Sequence, residues 1–121
     1  MTTDTGTRAS AARIQKVSRV FQALADPTRR AVVERLARGP ASTMELARPF
    51  NMALPSFAQH LSVLEKCGVV RSRKEGRVRH FHLAPEPLAT AEDWMVEQRA
   101  TWNLRLDRLQ EFVEDMQAPE R

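Results

Sequence analysis

The chain has 121 residues, 42% of them hydrophobic, and a formal net charge of +4, which predicts one small globular domain. No stretch approaches the ~20 consecutive apolar residues of a membrane span, and MTTDTGTRASAAR at the N-terminus lacks the apolar run of a secretory signal. The single cysteine, Cys67, excludes an internal disulfide and fits a reducing compartment. We therefore expect a cytoplasmic protein.

The charges are distributed unevenly along the chain. Residues 1–83 carry 15 Lys/Arg and 6 Asp/Glu, whereas residues 84–121 carry 4 Lys/Arg and 9 Asp/Glu. The basic part favours contact with a polyanion such as DNA. The alternative is an ordinary solvated surface.

The first part of the chain predicts a tail and two helices. Residues 1–10 are small, polar and without period, which predicts a disordered tail. Apolar residues then recur at helical spacing up to Ala25. Asp26 is expected to cap a second helix, because Pro27 fits the first turn of a helix. In that second helix Arg29 and Arg30 are expected to turn outward.

The stretch from Thr43 to Lys66 predicts a helix-turn-helix. In its second half Phe57, Leu61 and Leu64 recur at i, i+4 and i+7, which indicates a buried face. Four polar residues turn outward: Ser56, Gln59, His60 and Lys66. We predict that Ser56, Gln59 and His60 contact base edges in the major groove of DNA.

The third and fourth helices differ in the capping residues that the sequence provides at their ends. Ser42 or Thr43 can cap the third helix. The fourth helix has Pro55 in its first turn and no capping oxygen before it, so its free backbone N–H groups suit a DNA phosphate. Gly68 suits the end of the fourth helix.

A β-hairpin follows, with strands at 69–73 and 78–83 and a turn at 74–77. Its tip is basic. We predict that this wing contacts the DNA backbone or minor groove through four residues: Arg73, Lys74, Arg77 and Arg79.

A final helix of about 30 residues opens after Pro85 and Pro87 and carries a wide apolar stripe. Its length exceeds what a core this small covers, so we predict a homodimer. The alternative is a helix that folds back over its own domain. The expected interface consists of Val17, Phe21, Trp102, Leu106, Leu109, Phe112 and Val113.

Residues 20–83 resemble the ArsR-type family of bacterial winged-helix transcriptional repressors. The resemblance is carried by VFQALADPTRRAVVERLARG at 20–39, TMELARPFNMALPSFAQHLSVLEKCGVV at 43–70 and RSRKEGRVRHFHL at 71–83. The stretch 94–113, WMVEQRATWNLRLDRLQEFV, is similar to the branch that includes autorepressors without the usual metal ligands.

The resemblance implies a homodimer held by the first and last helices, with two recognition helices in successive major grooves of an inverted-repeat operator. Ala53 and Ala58 stand where many members have serines, so those contacts are expected to be missing. The family's cysteine pair would fall at Ser42 and Met44, and the last helix has no histidine. Neither familiar metal site is therefore expected.

A few other residues admit a functional and a structural interpretation. His80 and His82 share a strand face and are either two metal ligands or a solvent-facing pair. Cys67 is either a redox-sensitive thiol or a buried one. Trp94 and Trp102 either line a ligand pocket or pack in an interface.

The sequence thus predicts a mainly α fold with a small β-hairpin: four helices, two strands and a fifth helix, forming a dimeric winged helix-turn-helix. Residues 11–84 are expected to be the DNA-binding domain and 85–118 the dimerisation helix. The predicted function is a repressor without enzymatic activity, metal, cofactor or membrane partner, and no effector is indicated. The alternative is a winged-helix module that docks another protein.

Overall fold

The computed structural model describes residues 2–118, with side chains from Arg8 to Ala118. It is mainly helical and has one small sheet, in agreement with the predicted class. The elements are α1 Thr2–Leu24, α2 Pro27–Leu36, β1 Ala41–Ser42, α3 Thr43–Ala47, α4 Leu54–Lys66, β2 Val70–Glu75, β3 Val78–Leu83 and α5 Pro85–Gln117.

The N-terminal residues differ from the sequence-based prediction. We predicted a disordered tail over 1–10, and in the structure residues 2–10 form the first turns of α1; residue 1 lies outside the described residues. The segment is compatible with a helix because it contains no proline, and Ala9, Ala11 and Ala12 favour helix more than other residues do.

The sheet has three antiparallel strands in the order β1-β3-β2, one strand more than the hairpin that we predicted. In β1, Ala41 pairs with Phe81 and Ser42 with His80. Two residues of low β propensity give no alternating pattern, so tertiary pairing alone makes this strand. The hairpin turn is tighter than predicted, because Val70–Glu75 and Val78–Leu83 are both strands and Gly76 turns between them with a φ of 64°.

Side-chain caps fix where α2 and α3 begin. Asp26 Oδ2 accepts the backbone N–H of Arg29 over 3.0 Å, which confirms the predicted cap of α2. Ser42 caps α3 in a capping box: its hydroxyl accepts the N–H of Glu45 over 3.2 Å, and the Glu45 carboxylate accepts the N–H of Ser42 over 3.4 Å. This box satisfies two backbone donors at the start of α3, whereas Asp26 satisfies one at the start of α2.

One hydrophobic core holds α1, α2, α4, the sheet and the start of α5 together. Phe57 and Leu64 of α4 are 0% exposed at its centre, and Phe50 stacks at a tilt against Phe57 with ring centroids 5.4 Å apart. The cluster consists of Val20, Ala23, Val32, Leu36, Ala41, Leu46, Phe57, Leu61, Leu64, Val69, Val70, Phe81 and Ala91. The predicted inner face of α4 is therefore confirmed.

The chain divides into two compact units, one extending to Ala91 and the other beginning at Glu92. The predicted division into a DNA-binding domain over 11–84 and a dimerisation helix over 85–118 stays a prediction. The first turns of α5 belong to the first unit, because Ala91 is a member of its core and Leu88 packs against that core. The second unit is the remainder of α5.

Candidate nucleic-acid interface

The outer side of α4 is a polar strip. Phe57, Leu61 and Leu64 occupy the buried side, and at 3.6 residues per turn the opposite side carries Gln59, Ser62 and Lys66. Their side chains are exposed, and Ser56 is exposed at the first turn. Ser62 was missed by the sequence analysis, although its position three residues after Gln59 puts it on the same face.

The N-terminus of α4 has no side-chain cap. Ala53 is the N-cap residue and makes no capping hydrogen bond, and Pro55 occupies the first turn. The first-turn N–H groups at the positive end of the helix dipole are suited to an anion.

His60 faces the start of α2 instead of standing on the outer strip. Its side chain is 23% exposed, and its Nδ1 lies 3.1 Å from Nη1 of Arg29 and 3.7 Å from Oδ2 of Asp26. The structure thus gives His60, which we predicted to face the DNA groove, a contact within the protein. The sequence alone held no signal for this contact, because Arg29 and His60 are 31 positions apart.

Arg29 joins three helices. Its Nε donates to the carbonyl of Ala23 over 2.6 Å and its Nη2 to that of Gln22 over 3.1 Å, so it caps the C-terminus of α1. Arg30 donates to the carbonyl of Leu24 over 2.8 Å. Arg30 is exposed, as expected, whereas Arg29 is only partly exposed because the last carbonyls of α1 require donors.

The charges at the α1–α2 junction stabilise ionised Asp26. The backbone N–H of Arg29 holds the pKa of Asp26 below its usual value. Partial burial opposes this effect, while the positive charge of Arg29, and that of His60 when it is protonated, adds to it. Asp26 is therefore an anion at neutral pH, set beside a histidine of the recognition helix.

The wing, formed by β2, β3 and their turn, carries exposed basic side chains. Arg73, Lys74 and Arg77 are all exposed, with Arg77 in the turn itself. Arg73 Nε lies 3.8 Å from Oε1 of Glu75, and both side chains are more than 60% exposed. Such a contact contributes little energy and leaves Arg73 able to move to another anion.

Arg79 differs from the other basic residues of the wing because it is tied back to the protein. Its Nη1 donates to the hydroxyl of Ser72 over 2.9 Å, and that hydroxyl donates to Oε1 of Glu65 in α4 over 2.8 Å. Arg79 lies on the same sheet face as buried Phe81, since alternate residues of a strand share a face. The wing and α4 are therefore connected by a chain of hydrogen bonds.

Comparison with known proteins agrees with this geometry. A family described as helix-turn-helix domain matches residues 24–73. The crystal structure of an ArsR family transcriptional regulator superposes with a TM-score of 0.71 at 52% identity, covering 74% of this chain and 92% of the other. The chain belongs to the ArsR family.

Other relatives of this ArsR-family chain carry names of regulators. The HTH-type transcriptional regulator Rv2034 of Mycobacterium tuberculosis is 49% identical over 59% of this chain, a match that spans 66% of the relative's own length. The transcriptional repressor SdpR of Bacillus subtilis is 30% identical over 66% of this chain and 89% of its own. The homodimeric winged helix-turn-helix DNA-binding domain of Mb0332 from Mycobacterium bovis is 28% identical, with a TM-score of 0.60, covering 76% and 87%.

The predicted dimer residues of this ArsR-family protein are mostly accessible in the single chain. Six are 37–62% exposed: Phe21, Trp102, Leu106, Leu109, Phe112 and Val113. Val17 is the exception, because it is buried within its own chain at 4% exposure and offers little surface to a second copy.

The remaining candidate side chains have ordinary environments. Cys67 ends α4, is partly buried, and donates its S–H to the carbonyl of Leu64 over 3.3 Å. Within residues 8–118, no group of three or more His, Cys, Asp or Glu side chains is placed to hold a metal ion. None of the helices described is long and apolar enough to cross a membrane.

Proposed function

We propose that this ArsR-family chain is a cytoplasmic, homodimeric transcriptional repressor that binds an inverted-repeat operator through the outer side of α4 and the wing. The observation that carries the proposal is the exposed polar strip of α4 beside an exposed basic wing, both on the basic part of the chain. The names of the relatives, regulators and repressors with helix-turn-helix domains, support the same function.

In this proposal α4 enters the major groove, with Ser56 and Gln59 contacting base edges. Gln59 is the strongest candidate for specificity, because its amide offers a donor and an acceptor and can pair with adenine in a bidentate manner. Ser62 and Lys66, on the same exposed side, extend the contact. His60 stays a proposed contact residue, although its Nδ1 is already engaged by Arg29.

Phosphate contacts supply most of the affinity and none of the sequence preference. We assign them to Arg73, Lys74 and Arg77 of the wing and to the uncapped N-terminus of α4. Arg79 reaches the same backbone in this proposal, held in position by Ser72.

The second unit supports dimerisation through its apolar stripe. Five of its side chains follow the alternating spacing of four and three residues that a coiled-coil seam requires. They are Trp102, Leu106, Leu109, Val113 and Met116, and all are 44–72% exposed in the single chain. A second copy of the same helix would bury them, which isolated α5 cannot do. A homodimer formed by two copies of α5 has two-fold symmetry, which matches an inverted-repeat operator.

Selection of bound sequences from a random duplex pool, starting from the full-length protein at low ionic strength, tests this function. We expect an enriched inverted repeat whose half-sites lie about one helical turn apart. Affinity for the enriched duplex should then fall steeply as salt rises. Recovery of no enriched sequence, together with no binding of duplex in a gel-shift titration, would contradict the proposal.

A further inference from the structure

The contact between Arg29 and His60 places constraints on the histidine ring. A guanidinium has hydrogens to donate and no acceptor, so the 3.1 Å contact from Nη1 requires Nδ1 of His60 to accept. A neutral imidazole carries a single N–H, and in this arrangement that hydrogen sits on Nε2. Arg29 therefore fixes both the tautomer and the orientation of a residue on the recognition helix.

Arg29 is itself held firmly. Two of its three donor nitrogens bind the carbonyls of Ala23 and Gln22 at the end of α1, and its backbone N–H binds Asp26. The third nitrogen points at His60. The hydrogen bond between Arg29 and His60 thus helps to hold α4 in position relative to α1 and α2, in addition to the packing of the apolar core.

Resting on the function proposed above, we infer that Arg29 is a positioning residue for α4 and that operator binding is proton-linked through His60. Neutral His60 keeps the recognition helix attached to the α1–α2 junction. Protonated His60 detaches from Arg29 and weakens operator binding.

The proton step follows from the groups that face His60. These are Arg29 of α2 and Asp26 of the junction before it. A proton taken up at Nδ1 occupies the lone pair that accepted from Nη1, so that hydrogen bond breaks and two positive groups then face each other. The new Nδ1–H is directed to Asp26 Oδ2, 3.7 Å away, the same oxygen that caps Arg29 N–H.

The test compares operator affinity of wild type and His60→Asn at pH 8 and pH 5.5, at one fixed ionic strength. Asparagine places Oδ1 where histidine has Nδ1, so it accepts from Arg29 but does not titrate. Histidine changes charge within about pH 5–8. Because His60 is also a proposed DNA contact, the substitution is judged by the ratio of the His60→Asn affinity to the wild-type affinity. We expect this ratio to rise roughly tenfold between pH 8 and pH 5.5.

Two further variants complete the experiment. His82→Gln replaces an exposed histidine of β3. Its operator affinity should change between pH 8 and pH 5.5 by the same factor as that of wild type. Arg29→Lys keeps the positive charge but cannot make the three side-chain contacts of Arg29 to Ala23, Gln22 and His60. It should therefore bind the operator severalfold more weakly at pH 8, and its affinity should fall less than that of wild type between pH 8 and pH 5.5. Circular dichroism checks that each variant is folded.

The outcomes separate this inference from the proposed function. If the ratio of the His60→Asn affinity to the wild-type affinity stays constant from pH 8 to pH 5.5, the proton linkage is overturned. If this ratio falls, charged His60 favours DNA binding, which also overturns the inference. Absence of binding to any duplex at every pH overturns the proposed function itself. Nitrogen NMR of the free protein at pH 8 is independent of DNA: Nε2–H supports the Arg29 contact, and Nδ1–H overturns it.

Discussion

The hydroxyl of Ser72 in β2 donates a hydrogen bond to Oε1 of Glu65 in α4 over 2.8 Å. The same hydroxyl oxygen accepts a hydrogen bond from Nη1 of Arg79. Ser72 thereby links the wing to the recognition helix. It orients a basic residue of the wing from within the protein, so its contribution to DNA binding is indirect.

Ser72→Ala should weaken operator binding without changing sequence preference, because Arg79 loses the acceptor that positions it. A net hydrogen bond contributes about 0.5–1.5 kcal/mol, so we expect a loss of several-fold in a fluorescence anisotropy titration. Thr90→Ala is the control, since that hydroxyl donates only to the carbonyl of Glu86 in its own helix. Equal losses for both variants would contradict the role of Ser72.

Gln59→Ala should reduce discrimination between the operator and a scrambled duplex. Loss of a bidentate base contact costs about 1–3 kcal/mol of discrimination, whereas binding to the scrambled duplex should hardly change. Competition gel shifts measure both quantities, and Gln98→Ala, at an exposed position of α5, is the control. Unchanged discrimination would remove Gln59 from the set of base-contacting residues.

Arg77→Ala should weaken binding to all duplexes to a similar degree. Arg77 lies in the exposed turn of the wing, where a phosphate contact carries no sequence information. We expect the slope of log affinity against log salt to become shallower by about 1. Arg108→Ala, in the second unit, should leave that slope unchanged. A loss confined to one operator position would instead make Arg77 a base-contacting residue.

Asp26→Ala should destabilise the fold at neutral pH by about 1 kcal/mol, the usual cost of losing an N-cap. The folded state lowers the pKa of Asp26 below its ordinary value of 3.8. The stabilisation is therefore present above that value and is lost as pH falls through the lower pKa of the folded state. Urea unfolding measured from pH 7 to pH 2.5 should show that the difference in free energy of unfolding between wild type and Asp26→Ala becomes smaller as the pH falls. Asp93→Ala, as control, should show no such change.

Leu109→Glu should dissociate the dimer. The residue is 52% exposed at the middle of the apolar seam of α5, and pairing would bury a carboxylate beside a second one. Sedimentation velocity at micromolar concentration should give a dimer for wild type and a monomer for the variant, with helix content retained. Asn103→Glu, beside the seam, should remain dimeric. A wild type that sediments as a monomer would reject the homodimer.

Local sequence patterns were sufficient to predict much of the structure of this protein. The spacing of Phe57, Leu61 and Leu64 predicted the buried side of α4, and Asp26-Pro27 predicted the start of α2, because periodicity and capping act over a few residues. Charge counts along the chain likewise separated a basic part from an acidic one.

Tertiary structure decided the features that depend on residues distant in the chain. Strand β1 exists only because β3 pairs with it, Val17 is buried by the folded chain, and Arg79 turns back to Ser72. Periodicity indicates which side of a helix is polar, but not which partner a polar side chain meets. His60 shows the difference: the sequence placed it among the outward residues of α4, and the fold brought Arg29 from 31 positions away to meet it.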